Sequence, residues 1–510
     1  MRDVTIYYII IYKVYNALYS GGIAVCVKGD KSLGILSKIE SGHCAVLGLG
    51  ISNRPLIDVL RNLGAKKITA YDKKTKEELS PYSLELEKSG VELVTGDGYL
   101  DSIEGDVIFR SPGIRPDVAS IRRAVENGAI LTSEMELFME LTPATVIGVT
   151  GSDGKTTTTT LTYKILCEEY KKRGRGNVYV GGNIGKPLLS DVDKMTADDI
   201  VVLELSSFQL YTFSRSPKIS AITNISPNHL DWHTDMNEYI SSKRNIFSHE
   251  PSKALVLNAD SDEEAKLCVP DGLDITYFSS TARSYAETVK EKTGKCSAVF
   301  EKDGKIVFCE RNESICRELI SVSDIKLPGR HNVENYMTAI ALTKDLVGSE
   351  SVSAVARSFG GVEHRLEFVR ELDGVRYYNS SIDSSPSRTA AALSALRGNR
   401  TVVICGGYDK HIPFEPLAAA LCEHAVGVVI TGATSNKIYE AIKACSEFSV
   451  EKLSIILEGD FERAVYFARE LARSVSADTV LLSPACASFD AFRNFEERGK
   501  RFKETVMSFQ

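Results

Sequence analysis

The residues best suited to chemistry lie in Thr150-Gly-Ser-Asp-Gly-Lys-Thr-Thr157. The apolar run Val146 to Val149 before them reads as a buried parallel strand. Gly151 to Gly154 reads as a glycine-punctuated turn, and Lys155 opens a helix running towards Tyr170. Strand, glycine loop and a helix starting with Lys-Thr are how proteins hold a nucleoside triphosphate. Glycines let backbone N–H groups approach the phosphates, and the helix N-terminus adds favourable partial charge. Lys155 can then reach the β/γ-phosphates, and the Thr156 hydroxyl can hold Mg²⁺. Gly151, Ser152, Asp153, Gly154, Lys155, Thr156 and Thr157 are therefore expected to contact ATP. The spacing is not strict, because Val149 stands where the usual pattern has its first glycine.

Two further groups are delivered to the same region. Glu204 sits near the carboxyl end of the buried run Ile200 to Leu205. A dry, unpaired carboxylate costs several kcal/mol, so Glu204 calls for a cation or a hydrogen-bond network. The strand Ile219 to Asn224 leads to Ser226-Pro-Asn-His-Leu-Asp231, which brings His229 to the same sheet edge. Ligands of open α/β sheets collect there. On residues alone, Glu204 could equally sit in a structural salt bridge and His229 could be a hydrogen-bonded loop histidine. Lys243, in a helical stretch, reads as a surface lysine.

The elements that must position these groups form an α/β protein of three domains. Cys44 to Asn53 is a strand entering G-x-G-x-x-N, with Asn53 in place of the third glycine. Asp72 ends the next strand, where a ribose-binding acid would sit. The strand Val107 to Arg110 precedes Ser111-Pro-Gly-Ile114. The expected domains are a Rossmann-like unit over 37–142, a central P-loop domain with a mostly parallel sheet over 143–362, and a doubly wound Rossmann-like domain over 363–510. Asp303-Gly304 predicts a β-hairpin joining Ser297–Lys302 to Lys305–Cys309. Residues 1–36 read as an extension of unknown role, interrupted by Lys13 and too short in apolar residues to span a bilayer.

A net charge of −7 argues against nucleic-acid binding. The 11 cysteines are odd in number, never spaced C-x-x-C, and read as reduced cytosolic thiols.

With Glu204-Leu-Ser-Ser-Phe-Gln-Leu210, Asn228-His-Leu-Asp231 and Gly329-Arg-His-Asn-Val-Glu-Asn335 added to the glycine loop, the chain resembles the Mur ligases. These are the ATP-dependent amide-forming enzymes of peptidoglycan assembly. Gly48-Leu-Gly-Ile-Ser-Asn53, Leu482-Ser-Pro-Ala-Cys-Ala-Ser-Phe-Asp490 and Phe495-Glu-Glu-Arg-Gly499 resemble the branch that adds D-glutamate to UDP-N-acetylmuramoyl-L-alanine. The resemblance covers roughly residues 40 to 508. It implies that ATP phosphorylates the alanine carboxylate and that the D-glutamate amine attacks the acyl phosphate. It also implies two Mg²⁺ ions, one held by Thr156 and Glu204 and one by His229, with Lys243 carbamylated beside them.

Other roles follow only from the resemblance. Asn183 would contact the substrate near the reacting carboxyl. Asn332 and Asn335 would lie on the adenine side, with Arg365 at the γ-phosphate and Ser380 at ATP. Lys410, Ser384, Ser488 and Phe495 would hold D-glutamate. Gly50, Ile51, Ser52, Asp72, Lys73, Lys74, Ser111 and Gly113 would hold the uridine diphosphate. Relatives commonly carry Asn-Asp-Ser where this chain has Asn379-Ser-Ser381, and Asp383 lies three residues beyond Ser380. The implied protein is a cytoplasmic monomer acting on small molecules, with no nucleic acid and no firm membrane association.

Three alternatives compete. A ligase with another acceptor is disfavoured by the first domain and the Ser-Pro-Ala-Cys-Ala-Ser run. A nucleotide-hydrolysing switch leaves Lys410 and Ser488 without a purpose. An NAD-dependent reductase built on G-x-G-x-x-N leaves the P-loop, Glu204 and His229 unexplained together.

Overall fold

A computed structural model of the chain describes residues 31–510 apart from 231, 290–295, 312–314, 328, 410 and 411; of 31–34 it describes the backbone only. The chain divides into two compact units, each described by itself. One comprises the residues up to Thr142 with Pro187–Asp193, the other Pro143–Lys186 with Lys194–Gln510. The return of Pro187–Asp193 to the first unit has no counterpart in the sequence reading.

In the first unit the structured chain starts earlier than residue 37. Helix Lys31–Ser41 precedes the first strand and buries Ile39. The remaining part of the expected extension lies outside the described residues. Five parallel strands follow in spatial order Glu92–Thr95, Lys67–Asp72, His43–Leu47, Val107–Arg110 and Ile130–Thr132. The reversal of order beside His43–Leu47 is the doubly wound pattern, with its ligand crevice at the carboxyl ends.

The second unit contains two sheets, each with its own core. The first has nine strands, in order Cys316–Ser321, Lys305–Cys309, Ser297–Lys302, Asp274–Ser279, Ala254–Asn258, Ile219–Ile222, Thr145–Thr150, Ile200–Glu204 and Val178–Gly182. The first two pairings in that order are antiparallel, and from Ser297–Lys302 onward the strands pair in parallel. Asp303 and Gly304 make the expected hairpin turn, both with positive φ (51° and 74°).

Cys309 and Cys316 face each other on adjacent antiparallel strands and form a disulfide, which corrects the expectation of reduced thiols throughout. Hairpin register placed them together, and their spacing along the chain gave no such signal.

Helix Lys155–Arg173 packs Leu161, Ile165 and Leu166 against Ile147 and Val149 of this sheet. Its run of five threonines is a poor helix former, costing about 0.5 kcal/mol per residue. The hydroxyls of Thr160 and Thr162 donate to the carbonyls of Thr156 and Thr158. Core packing and a left-handed Gly174 C-cap then hold the helix.

The other sheet runs Glu367–Leu372, Val375–Asn379, Thr479–Leu482, Thr401–Cys405, Ala425–Ile430 and Ser454–Leu457. Only its first pairing is antiparallel. Separate apolar clusters cover its two faces, as a doubly wound sheet requires. Among the described residues no helix is long and apolar enough to cross a membrane.

Candidate active site

Strands Ile200–Glu204 and Ile219–Ile222 flank Thr145–Thr150 in parallel, so their carboxyl ends meet at one edge. The glycine loop is fixed there from several sides. Gly151 and Gly154 have φ of +151° and +76°, and a Cβ on either would collide with Thr223 or Asn335. The Ser152 hydroxyl donates to Ser226 O and accepts the Ser226 N–H, both at 2.9 Å, and shares a 2.9 Å bond with Tyr239. Asp153 N–H donates to Asn224 Oδ1 at 2.8 Å. Lys155 Nζ folds back onto Gly151 O and Ser152 O at 3.0 and 2.7 Å. Burial lowers its pKa, and the Glu204 carboxylate opposes that.

Glu204 is buried, with Oε1 accepting from Asn183 Nδ2 at 2.8 Å. Its Oε2 is buried without a hydrogen-bond partner. A native structure rarely tolerates that unless something else fills the place. Carboxylate and hydroxyl oxygens at this edge, from Glu204 and Thr156, are the donor type Mg²⁺ takes. Among the described residues no three His, Cys, Asp or Glu side chains cluster closely enough to hold a metal alone. Remaining positions would fall to water and phosphate oxygens, as Mg²⁺ commonly has them.

His229 is exposed, in left-handed conformation at φ 55°. Its ring meets Phe208 edge-on at 4.8 Å, in the short helix Ser207–Leu210 just after Glu204. Trp232 and the buried His233 pack on the same ring, and His233 Nε2 lies 2.9 Å from Ser207 Oγ. The loop carrying His229 is thus anchored to the P-loop at Ser226 and to the Glu204 segment at His233.

Lys243 departs from its reading as a surface lysine. It is 1% exposed, and Nζ donates to Gly151 O at 2.7 Å. Its Nζ also lies 4.5 Å from the Tyr239 ring centre. Burial, and secondarily the nearby Lys155, push its pKa well below the usual lysine range.

The second half of this unit supplies further groups. Arg365 Nη1 donates to Thr156 Oγ1 at 2.8 Å. On helix Arg330–Thr343, Asn335 accepts from Thr158 at 3.1 Å and donates to Asn332 at 3.2 Å. Both asparagines are buried, Asn335 against the P-loop helix. Ser380 is buried and accepts the Leu366 N–H at 3.1 Å. The Ser380 and Ser483 hydroxyls both bond the Asp383 carboxylate, and burial raises its pKa. Ser488 is buried, Ser384 and Phe495 half-buried, and Phe495 meets His364 edge-on at 5.9 Å. Lys410 lies outside the described residues.

In the first unit, Gly50, Ile51 and Ser52 are exposed in the turn after His43–Leu47. Ser111 and Gly113 follow the adjacent strand Val107–Arg110, and a Cβ on Gly48 would stand 3.0 Å from Ser111 Cβ. Lys73 and Lys74 are exposed. Asp72 has both oxygens occupied, Oδ2 by Leu49 N–H at 2.6 Å and Oδ1 by Lys74 N–H at 2.8 Å. Asn53 takes the third glycine's place by turning its Nδ2 back to Leu47 O and Gly48 O, at 3.1 and 2.9 Å.

Residues 149–343 match the Mur ligase middle domain, and residues 364–486 match the family described as Mur ligase, glutamate ligase domain. A UDP-N-acetylmuramoylalanine–D-glutamate ligase of Clostridium novyi is 45% identical over 470 residues, covering 92% of this chain and 97% of that protein. The ligase of the same description from Clostridium acetobutylicum is 47% identical over 472 residues, with the same coverage. The chain belongs to the Mur ligase family. ATP dependence follows from that membership. Among solved structures, UDP-N-acetylmuramate-alanine ligase from Thermotoga maritima is 20% identical, with a TM-score of 0.48 over 92% of this chain and 99% of its own.

Several groups at this Mur ligase site carry no motif that would have picked them out. Tyr239 and Thr223 act on the P-loop from residues far along the chain, Tyr239 through Ser152 and Thr223 through the Thr150 and Asp153 carbonyls. Arg498 lies within Phe495-Glu-Glu-Arg-Gly499, yet its role emerges only in three dimensions. It is buried, and its guanidinium donates to Ser381 Oγ, Ser381 O, Cys486 O and Ala487 O.

Proposed function

We propose that this Mur ligase joins D-glutamate to UDP-N-acetylmuramoyl-L-alanine through an acyl phosphate, in the cytoplasmic assembly of peptidoglycan precursor. One observation carries the reading: 45–47% identity to D-glutamate ligases over 92% of this chain and 97% of theirs. An ionised carboxylate is a poor electrophile with no leaving group. Its oxygen attacks the γ-phosphorus and ADP departs; the amine then attacks the carbonyl and phosphate departs.

The protein's task is to hold several anions together in attacking geometry. Lys155 and the loop N–H groups bind the β/γ-phosphates. Arg365 turns from Thr156 to the γ-phosphate. Asn183 orients Glu204 and meets the substrate carboxyl. Glu204 and Thr156 hold one Mg²⁺ and His229 a second; bound there, Mg²⁺ neutralises charge developing on the transferred phosphoryl group.

Lys243 fits a carbamate. Burial favours its neutral amine, which can react as R–NH₂ + CO₂ → R–NHCOO⁻ + H⁺, and the product is an anion beside Lys155. The exposed turns Gly50–Ser52 and Ser111–Gly113, with Lys73 and Lys74, take the uridine diphosphate. Asp72 shapes that site through Leu49 and Lys74. Ser384, Lys410, Ser488 and Phe495 take D-glutamate.

Phosphate release from ATP tests the reading. It should require both the UDP-linked monopeptide and D-glutamate. Release indifferent to D-glutamate would instead identify a nucleotide-hydrolysing switch.

A further inference from the structure

We propose that the turn Gly432-Ala-Thr434 is a third wall of the amino-acid acceptor site, and that Thr434 is the positioning residue joining the other two walls. This rests on the D-glutamate reading above. Strands Thr479–Leu482, Thr401–Cys405 and Ala425–Ile430 are parallel neighbours, so the loops that follow them gather at one sheet edge. The first loop carries Ser488, and the second enters Gly406-Gly-Tyr408. The third, after Ala425–Ile430, has been given no part in the reaction.

Thr434 is fully buried. Its Oγ1 accepts the Gly407 N–H at 3.1 Å and lies 3.3 Å from Cys486 Sγ. Its own N–H donates to Gly407 O at 3.1 Å. One residue thereby exchanges two hydrogen bonds with the second loop and touches the first. Asp490, two residues beyond Ser488, returns the connection: its Oδ2 accepts the Ala433 N–H at 3.1 Å.

The junction has no slack. A Cβ on Gly432 would stand 2.8 Å from Gly407 Cα and 2.5 Å from Asp490 Oδ2. A Cβ on Gly407 would collide with Ala487 O and reach Cys486 Cβ at 3.1 Å. The first and second loops are also bridged directly, with Tyr408 N–H donating to Ala487 O at 3.0 Å. Moving Gly432–Thr434 therefore moves the backbone on both sides of Ser488. A loop that only closed the fold would not need the buried Thr434 hydroxyl aimed between Gly407 and Cys486.

The test is steady-state kinetics on the full-length enzyme, varying each substrate in turn. Thr434→Val keeps the shape and leaves the Gly407 N–H without its acceptor. KM for D-glutamate should rise about tenfold, as for losing one buried hydrogen bond, while KM for ATP and for the UDP-linked monopeptide stay within about twofold. Thr434→Ser, which restores the hydroxyl, should return KM for D-glutamate to within about threefold of the parent.

Asp490→Ala removes the acceptor of the Ala433 N–H, loosens the same turn from the other side and should shift the same constant in the same direction. It decides the matter if Thr434→Val does not fold. An unchanged D-glutamate KM in a folded variant, or all three KM values moving together, would overturn the proposal. Failure of the underlying reading looks different, because the parent enzyme itself would then show no D-glutamate-dependent phosphate release.

Discussion

The Arg365 guanidinium donates to the Thr156 hydroxyl at 2.8 Å across 209 residues of sequence. It reaches the P-loop from the start of the second half of the unit, just past the Gly360-Gly361 pair. On the proposed function, a guanidinium beside Thr156 is placed to meet charge developing on the γ-phosphate. Arg365→Ala should lower kcat on the order of 10³-fold, the low end of what such arginines supply in phosphoryl transfer. Arg365→Lys should recover only part, because an ammonium lacks the planar fork. Rapid-quench measurement of acyl-phosphate formation checks both.

Asn183 fixes Glu204 through its 2.8 Å bond to Oε1, leaving Oε2 without a hydrogen-bond partner, where the proposed function places Mg²⁺. Asn183→Ala should shift the Mg²⁺ dependence of activity upward by about 10–100-fold, the usual effect of losing a residue that orients a ligand. Glu204→Gln should shift it further. A Mg²⁺ titration at saturating ATP reads both, and an unmoved midpoint in Glu204→Gln would remove Glu204 from the metal site.

Where the sequence was informative, the signal was local. The loop glycines, the apolar runs of the parallel strands and Asp303-Gly304 each act within a few residues, and each is found where expected. The surface reading of Lys243 failed because its burial comes from Thr150, Gly151 and Tyr239 packing around it. Helical context at Lys243 alone cannot report that. Asp72 and Asn53 show a subtler limit. Their positions were legible, but their side chains are spent on neighbouring backbone, which depends on how two loops approach each other. Pairing of Cys309 with Cys316 likewise follows from strand register, not from residue type.

Glu134 gives a pH prediction for the first unit. It is buried with Oε1 unpartnered, and burial raises its pKa to about 7, partly opposed by the Leu189 N–H. The folded state then holds a proton that the unfolded chain releases above about 4.5. Stability from this group is fully present below the unfolded value and is lost as pH rises through about 7. The cost at high pH is on the order of 3 kcal/mol. Glu134→Gln should therefore raise the melting temperature at pH 8 more than at pH 5. Equal shifts at both would show that the carboxyl is already ionised at pH 5.

Lys243 gives the opposite sign. In CO₂-free buffer its bare amine is neutral when folded and protonated when unfolded, at any pH between its lowered value and the unfolded value near 10.5. The unfolded chain binds the extra proton, so stability rises with pH across that window. Lys243→Met should raise the melting temperature most near the lower end and lose that advantage as pH approaches 10.5. Added bicarbonate should narrow the difference at neutral pH by converting the parent's amine to carbamate, which leaves Met untouched. Activity should follow the same chemistry: Lys243→Ala loses it, and short carboxylates that enter the vacated space restore part. Full activity in Lys243→Ala without additives would mean that no carbamate is needed and that Lys243 only braces Gly151.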